Sequence, residues 1–316
     1  VKVIYHHTVG PWMERRLADL ADSHGLQVEV VAPDDHLSLA NALPGVEVIW
    51  HVLEPLTAEQ IAVAPHLKLI QKIGVGVNTI SVDTASDRGI AVCNMPGTNS
   101  RSVAELTLGL IFSCLRRVTW LHNRTANGAW SVSPEVPESM MELAGRTVGL
   151  VGYGDIPRIL APVLEVLGAK VLYTATSEKH DASGEFREIE QLLKESDIVS
   201  LHLPLVQETE QIIDSRRLGM MKQGAVLINT ARGGLIDQPA LVEALRGGQL
   251  TAAGLDVFAE EPVDPDDPIL KLENVVLCPH VAWQTRDTLE RSIEFAVENC
   301  RRLTEHLPLL SQVNET

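Results

Sequence analysis

The chain has 316 residues, 45% hydrophobic and 22% charged, which is the composition of a folded globular protein and not of a disordered one. Its 26 Lys and Arg stand against 42 Asp and Glu, a net charge of −16 that argues against nucleic acid or an anionic membrane as main partner. Cys93, Cys114, Cys278 and Cys300 form no CxxC pair, so no structural metal is expected, and reduced thiols fit a cytoplasmic protein. Val1–Tyr5 reads as a first strand and shows no signal-peptide pattern. Further strands are expected at Val28–Val31, Val46–Trp50, Leu69–Lys72 and Ile90–Cys93, with amphipathic stretches at Trp12–Ser23 and Thr57–Ala64 between them. Such alternation implies a parallel sheet covered on both faces.

Ser100 to Thr125 reads as one long helix, apolar at Val103, Leu106, Leu110 and Cys114, leading into a second domain. Its most apolar run is too short to cross a bilayer. From Arg146 the strand–helix order resumes, with strands at Thr147–Val151, Lys170–Tyr173, Ile198–Leu201, Val226–Ile228, Ala252–Leu255 and Val275–Leu277. The stretch Thr285–His306 is helical, with Leu289, Ile293, Val297 and Cys300 on one face, and is expected to return to the first domain. The expected fold class is therefore α/β, with two doubly wound parallel sheets and a site in the cleft between the domains. Boundaries are placed at 1–98 with 286–316 for one domain and 99–285 for the other.

Val148-Gly149-Leu150-Val151-Gly152-Tyr153-Gly154-Asp155-Ile156-Pro157 follows a strand and opens a helix, the context in which a glycine turn binds a dinucleotide. Gly152 permits the tight turn, and Gly154 lets backbone approach a pyrophosphate at the helix amino terminus. The third glycine position is Pro157, and Asp155 is expected to cap the helix. An acid about 20 residues beyond the turn ordinarily selects NAD through the ribose 2′-hydroxyl. Here Thr174-Ala175-Thr176-Ser177-Glu178-Lys179 places hydroxyls and a lysine at the strand tip, which favours NADP(H) over NAD(H).

Three strand-end segments carry the candidate chemistry. Asn229-Thr230-Ala231-Arg232-Gly233-Gly234 offers a guanidinium matched to a carboxylate. Gly254 to Pro262 offers acids, of which Glu260 and Glu261 are not separable by local reasoning. Pro279-His280 offers an imidazole able to donate and recover a proton near neutrality, with Glu261 the preferred carboxylate partner. Together they fit reduction of a 2-oxo acid: a cation to orient the carboxylate and an acid for the nascent alkoxide. His6, His7, His36 and His51 lack such context, and His202 is expected to line a cofactor trough without transferring protons.

With Ile73-Gly74-Val75-Gly76-Val77-Asn78, Val103-Ala104-Glu105, the glycine turn and these segments in this order, the chain resembles the D-isomer-specific 2-hydroxyacid dehydrogenases. The resemblance implies two Rossmann-like domains, the substrate domain flavodoxin-like, and a catalytic set of Arg232, Glu261 and His280. It implies that Val75 and Gly76 amides hold the substrate carboxylate with Arg232 and His280. It lines the cofactor with Ser102, Leu203, Pro204, Thr209, Thr230, Ala231 and Asp256; with Gly152, Tyr153, Gly154, Asp155 and Ile156 of the turn, Thr174, Thr176 and Ser177 of the strand tip, and Arg232, His280 and Trp283, these make up the expected cofactor site. It also implies a homodimer, with the Ser100–Thr125 helix as an arm and Trp130 as an anchor. Trp283 and Tyr173-Thr174 most resemble glyoxylate/hydroxypyruvate reductases, so a small anionic 2-oxo acid is the expected substrate. Formate or phosphite oxidation on the same scaffold, or a dinucleotide-sensing role like that of corepressors with this fold, are the alternatives.

Overall fold

The computed structural model describes residues 1–315. These divide into two compact units, one formed by Val1–Asn99 with the chain from Thr285 onward, the other by Ser100–Gln284. Among the described residues no helix is long and apolar enough to cross a membrane.

The first unit follows the order β1 (Lys2–His6), α1 (Pro11–His24), β2 (Gln27–Val31), α2 (His36–Ala42), β3 (Val48–His51), α3 (Ala58–Ala62), β4 (Leu69–Lys72), α4 (Val82–Asp87) and β5 (Ala91–Cys93). All strands are parallel, in the order β2-β1-β3-β4-β5. The inner strands are buried along their length because helices cover both faces, whereas the edge strand β2 is largely exposed. Local chemistry sets the helix ends. Proline opens α1 and Gly25, in the left-handed region at φ 66°, closes it. Thr57 and Gln60 form a reciprocal capping box on α3. Ile4, Ile49, Ile70, Val92 and Leu39 pack into the core, each worth roughly 1.5–3 kcal/mol on full burial. The closing helix, Arg286–Thr304, buries Ile293, Ala296, Val297 and Cys300. Its buried Asn299 donates to Gln71 Oε1 at 2.6 Å, tying it to β4.

In the second unit the order is α5 (Ser100–Leu115), α6 (Val118–Ala126), α7 (Glu135–Glu138), β6 (Thr147–Val151), α8 (Asp155–Val166), β7 (Lys170–Thr174), β8 (Glu185–Phe186), α9 (Ile189–Glu195), β9 (Ile198–Leu201), α10 (Ser215–Met220), β10 (Ala225–Asn229), α11 (Gln238–Arg246), β11 (Leu250–Leu255) and β12 (Val275–Leu277). Its seven parallel strands run β12-β11-β10-β9-β6-β7-β8. The chain therefore winds in opposite directions on either side of β6, and ligands bind outside the carboxyl ends at such a reversal. Those ends carry Gly152 after β6 and His202 after β9.

Two expectations are corrected here. The single helix from Ser100 to Thr125 is two helices, because Arg117 adopts the left-handed region at φ 51° and breaks the pattern. The short strand β8, paired through Leu172–Glu185 and Tyr173–Phe186, was not anticipated, since two residues carry no periodicity.

Candidate active site

The glycine turn is shaped by close approach. Gly152 has φ 100°, and a Cβ there would stand 2.6 Å from the His202 carbonyl oxygen. A Cβ on Gly154 would project into open space, leaving the backbone accessible from outside. Gly154 itself is the cap residue of α8, and Asp155 already lies in the helix with no side-chain capping bond, which corrects the expected role of Asp155. A capping side chain must come from the residue before the first helical one. Ile156 is half-buried and Pro157 buried in the first turn. An open glycine turn at the start of a twelve-residue helix fits a pyrophosphate.

The other residues expected to line a cofactor are placed as follows. Thr174 ends β7 half-buried, and Thr176 and Ser177 are exposed beyond it. Leu203 is half-buried and Pro204 exposed after β9, and the Thr209 hydroxyl bonds the Pro204 carbonyl at 2.6 Å. Ser102 is buried on α5, and Thr230 shares a 2.9 Å hydroxyl contact with Thr107 of the same helix. The His202 ring bonds Ser200 at 2.9 Å, and its Nδ1 is buried without a partner. Burial pushes its pKa down to about 3, so it stays neutral.

Arg232 follows the buried strand β10 and is half-buried. Asn229, a polar residue ending an apolar strand, holds the turn: its side chain accepts from the Ala231 amide at 3.0 Å and donates to the Arg232 carbonyl at 2.8 Å. Gly233 then admits the neighbouring segment, since a Cβ there would lie 1.7 Å from the Phe258 carbonyl oxygen. That contact brings the Arg232 turn against the chain that carries Glu261. Burial draws the Arg232 pKa down and the charge of Glu261 opposes it.

Glu261 is fixed at both oxygens. Oε1 accepts from the Phe258 amide at 2.9 Å, and Oε2 lies 2.6 Å from His280 Nδ1. Burial works against its charge, but His280, the Phe258 amide and Arg232 outweigh it, and its pKa falls below the usual carboxylate range. Glu260, exposed like its neighbour, makes no bond to the imidazole, which pairs with Glu261. Geometry thus separates the two adjacent acids.

His280 sits in the left-handed region at φ 54°, a conformation that costs about 1–3 kcal/mol and persists where its surroundings enforce it. Asp256, 0% exposed at the end of β11, supplies that enforcement. Its carbonyl accepts from the His280 amide at 2.8 Å, and its carboxylate oxygens accept from Val281 and Ala282 at 2.8 and 2.9 Å. Burial raises the Asp256 pKa despite those bonds. Asp256 therefore holds the imidazole loop, a role its sequence context did not reveal. Trp283 lies buried beyond that loop. Val75, exposed, and Gly76, half-buried, belong to the first unit, in the turn after β4, where Asn94 donates to the Val75 carbonyl at 2.9 Å. Among the described residues no group of three His, Cys, Asp or Glu could hold a metal ion.

A family model for the NAD-binding domain of D-isomer-specific 2-hydroxyacid dehydrogenases matches residues 108–282. The chain is 40% identical to a glyoxylate reductase of Korarchaeum cryptofilum over 252 residues, covering 78% of this chain and 76% of that one. It is 36% identical to a hydroxypyruvate reductase of Thermotoga maritima over 272 residues, covering 83% and 87%. Among solved structures, an NAD-dependent formate dehydrogenase of Staphylococcus aureus in complex with NAD superposes with a TM-score of 0.90 at 26% identity, covering 100% of both chains. Fold, glycine turn and sequence likeness agree: the chain belongs to the D-isomer-specific 2-hydroxyacid dehydrogenases and is a nicotinamide-dependent oxidoreductase.

Proposed function

We propose that this protein reduces a small 2-oxo acid of the glyoxylate or hydroxypyruvate type to the D-2-hydroxy acid, using NADP(H) in preference to NAD(H). The observation that carries the proposal is the 2.6 Å contact between His280 Nδ1 and Glu261 Oε2 beside the half-buried Arg232. A bound nicotinamide supplies the hydride that C2 receives. Arg232 holds the substrate carboxylate with its planar fork and polarises the neighbouring carbonyl. With Nδ1 engaged by Glu261, Nε2 of His280 is the nitrogen left to give a proton to the developing alkoxide. Glu261 stabilises the protonated ring before transfer and keeps it oriented. Asp256 keeps the loop in its left-handed conformation.

The formate reading draws support from the likeness to the formate dehydrogenase. Hydride removal from formate leaves carbon dioxide and forms no alkoxide, so it gives the His280–Glu261 pair no proton to move. The 2-oxo acid reading uses every charged group of the site. The hydroxyls and Lys179 beyond β7 support the NADP(H) preference. Trp130, 88% exposed, supports a homodimer with an aromatic anchor, and the reduced cysteines support a cytoplasmic setting.

The test is a panel of glyoxylate, hydroxypyruvate, pyruvate, formate and phosphite with each cofactor. Turnover of the first two is expected, and His280→Ala should lower it by about 100-fold or more, the scale of general acid catalysis. Turnover of formate or phosphite alone would replace the reading. Tight cofactor binding with no turnover on any acid would favour the sensing role.

A further inference from the structure

The loop after β7 is held by two phenols. Tyr173, 2% exposed, accepts from the Lys179 amide at 2.9 Å and donates to the Lys179 carbonyl at 3.2 Å. Tyr153, which stands between the two glycines of the turn, does the same to Ser183, accepting at 2.8 Å and donating at 3.0 Å. Each hydroxyl thus takes both backbone groups of one loop residue, groups that a surface loop ordinarily leaves to water. The rings support each other: Tyr153 and Tyr173 have centroids 4.4 Å apart, and Phe186 of β8 meets Tyr173 edge-on at 5.7 Å.

Charge around this loop is also arranged. Arg158 of α8 lies over the Tyr153 ring at 5.6 Å and grips Asp181 with two bonds, at 2.6 and 3.2 Å. The Asp181 carboxylate is thereby neutralised. Lys179, whose backbone the Tyr173 clamp fixes, reaches Ser177 Oγ with its ammonium at 3.3 Å. A cation and a hydroxyl are therefore paired just beyond the strand tip, on a loop anchored to the glycine turn itself.

We propose that Tyr153 and Tyr173 are positioning residues for cofactor choice, holding the loop from Thr174 to Ser183 so that Ser177 and Lys179 meet a phosphate on the adenosine ribose 2′ oxygen. This rests on the NADP(H) reading above and names the residues that would produce it. Lys179 supplies the charge, Ser177 the hydroxyl, and the phenols remove the loop's freedom to move them away.

The test measures dissociation constants of the full chain for NADPH and NADH by nucleotide fluorescence, for the unaltered protein and for Tyr173→Phe, Tyr153→Phe and Lys179→Ala. Tyr→Phe keeps the ring and removes both loop bonds. The NADPH preference is expected to fall about fivefold or more in Tyr173→Phe, the scale of losing one or two hydrogen bonds, and to vanish in Lys179→Ala. A merely structural tyrosine would weaken both cofactors alike and leave their ratio unmoved. A preference for NADPH that survives both Tyr→Phe changes overturns the clamp and leaves the cofactor reading standing. Tighter binding of NADH by the unaltered protein overturns both. Should Tyr173→Phe not fold, the exposed-loop change Lys179→Ala still decides, since an unaltered ratio there refutes the proposal.

Discussion

Arg232 is the cation on which substrate orientation is proposed to depend, and its surroundings are built to aim it. Its Nη1 donates to the Ala231 carbonyl at 2.6 Å, and the Asn229 amide holds the turn from below. Arg232→Ala should therefore raise KM and lower kcat together, by about 100-fold or more in kcat/KM, because anchoring and polarisation are lost at once. Arg232→Lys should recover little, since an ammonium lacks the two-pronged fork. Steady-state kinetics on glyoxylate decides it, and a change in neither constant removes Arg232 from the site. At this scale the residue types were legible in the sequence because strand ends followed by Gly or Pro mark the places where side chains leave a sheet. Their partners were legible only in part: Glu261 was preferred for His280, but the hold of Asp256 on the imidazole loop was not. Asp256, which resemblance set along the cofactor, has both carboxylate oxygens on the Val281 and Ala282 amides. No local pattern announces a bond to a loop 25 residues away.

Elements meet at the site because two glycines remove side chains where backbones must touch. Gly233 lets the Arg232 turn lie against Phe258, and Gly152 lets the dinucleotide turn lie against His202. Gly233→Ala would press a methyl group into the Phe258 carbonyl, where neither backbone can yield without moving Glu261. We expect a loss of about 1–3 kcal/mol, seen as a lower Tm, together with reduced turnover. Calorimetry and kinetics on that variant check this, and wild-type values for both would contradict the close approach. The element order was readable because each strand is a short apolar run and each helix repeats at its own period. The break at Arg117 and the strand β8 were not readable, since one left-handed residue and a two-residue pairing are settled by neighbours in space.

Across the whole molecule each unit carries, at the carboxyl end of its own sheet, an imidazole whose Nδ1 is buried without a partner. Burial, with the charges of Lys72 and His6, holds His51 of the first unit well below its ordinary pKa, and burial alone takes His202 of the second to about 3. For both groups the unfolded chain binds a proton more readily than the folded one. Their contribution to stability is therefore complete above the unfolded value near 6.5 and declines as pH falls towards the folded values. For His202 the slope approaches about 1.4 kcal/mol per pH unit between the unfolded value near 6.5 and the folded value of about 3, and His51 adds to it in the same direction. Urea unfolding across that range, followed for the protein and for His202→Gln, measures it. The variant should show a shallower loss, and an identical slope would place the acid sensitivity elsewhere.

Strand–helix alternation, the glycine turn and the succession of strand-end segments were determined by the sequence itself, because each is written within a few consecutive residues whose periodicity and turn chemistry act locally. Between the adjacent Glu260 and Glu261, which local reasoning could not separate although resemblance favoured Glu261, the tertiary structure brings Glu261 to the His280 ring 19 residues on. It also decided that Tyr153 closes on Ser183, 30 residues away. Such contacts depend on how closely two backbones approach, and that distance is set by the packing of the sheet and its helices rather than by either segment.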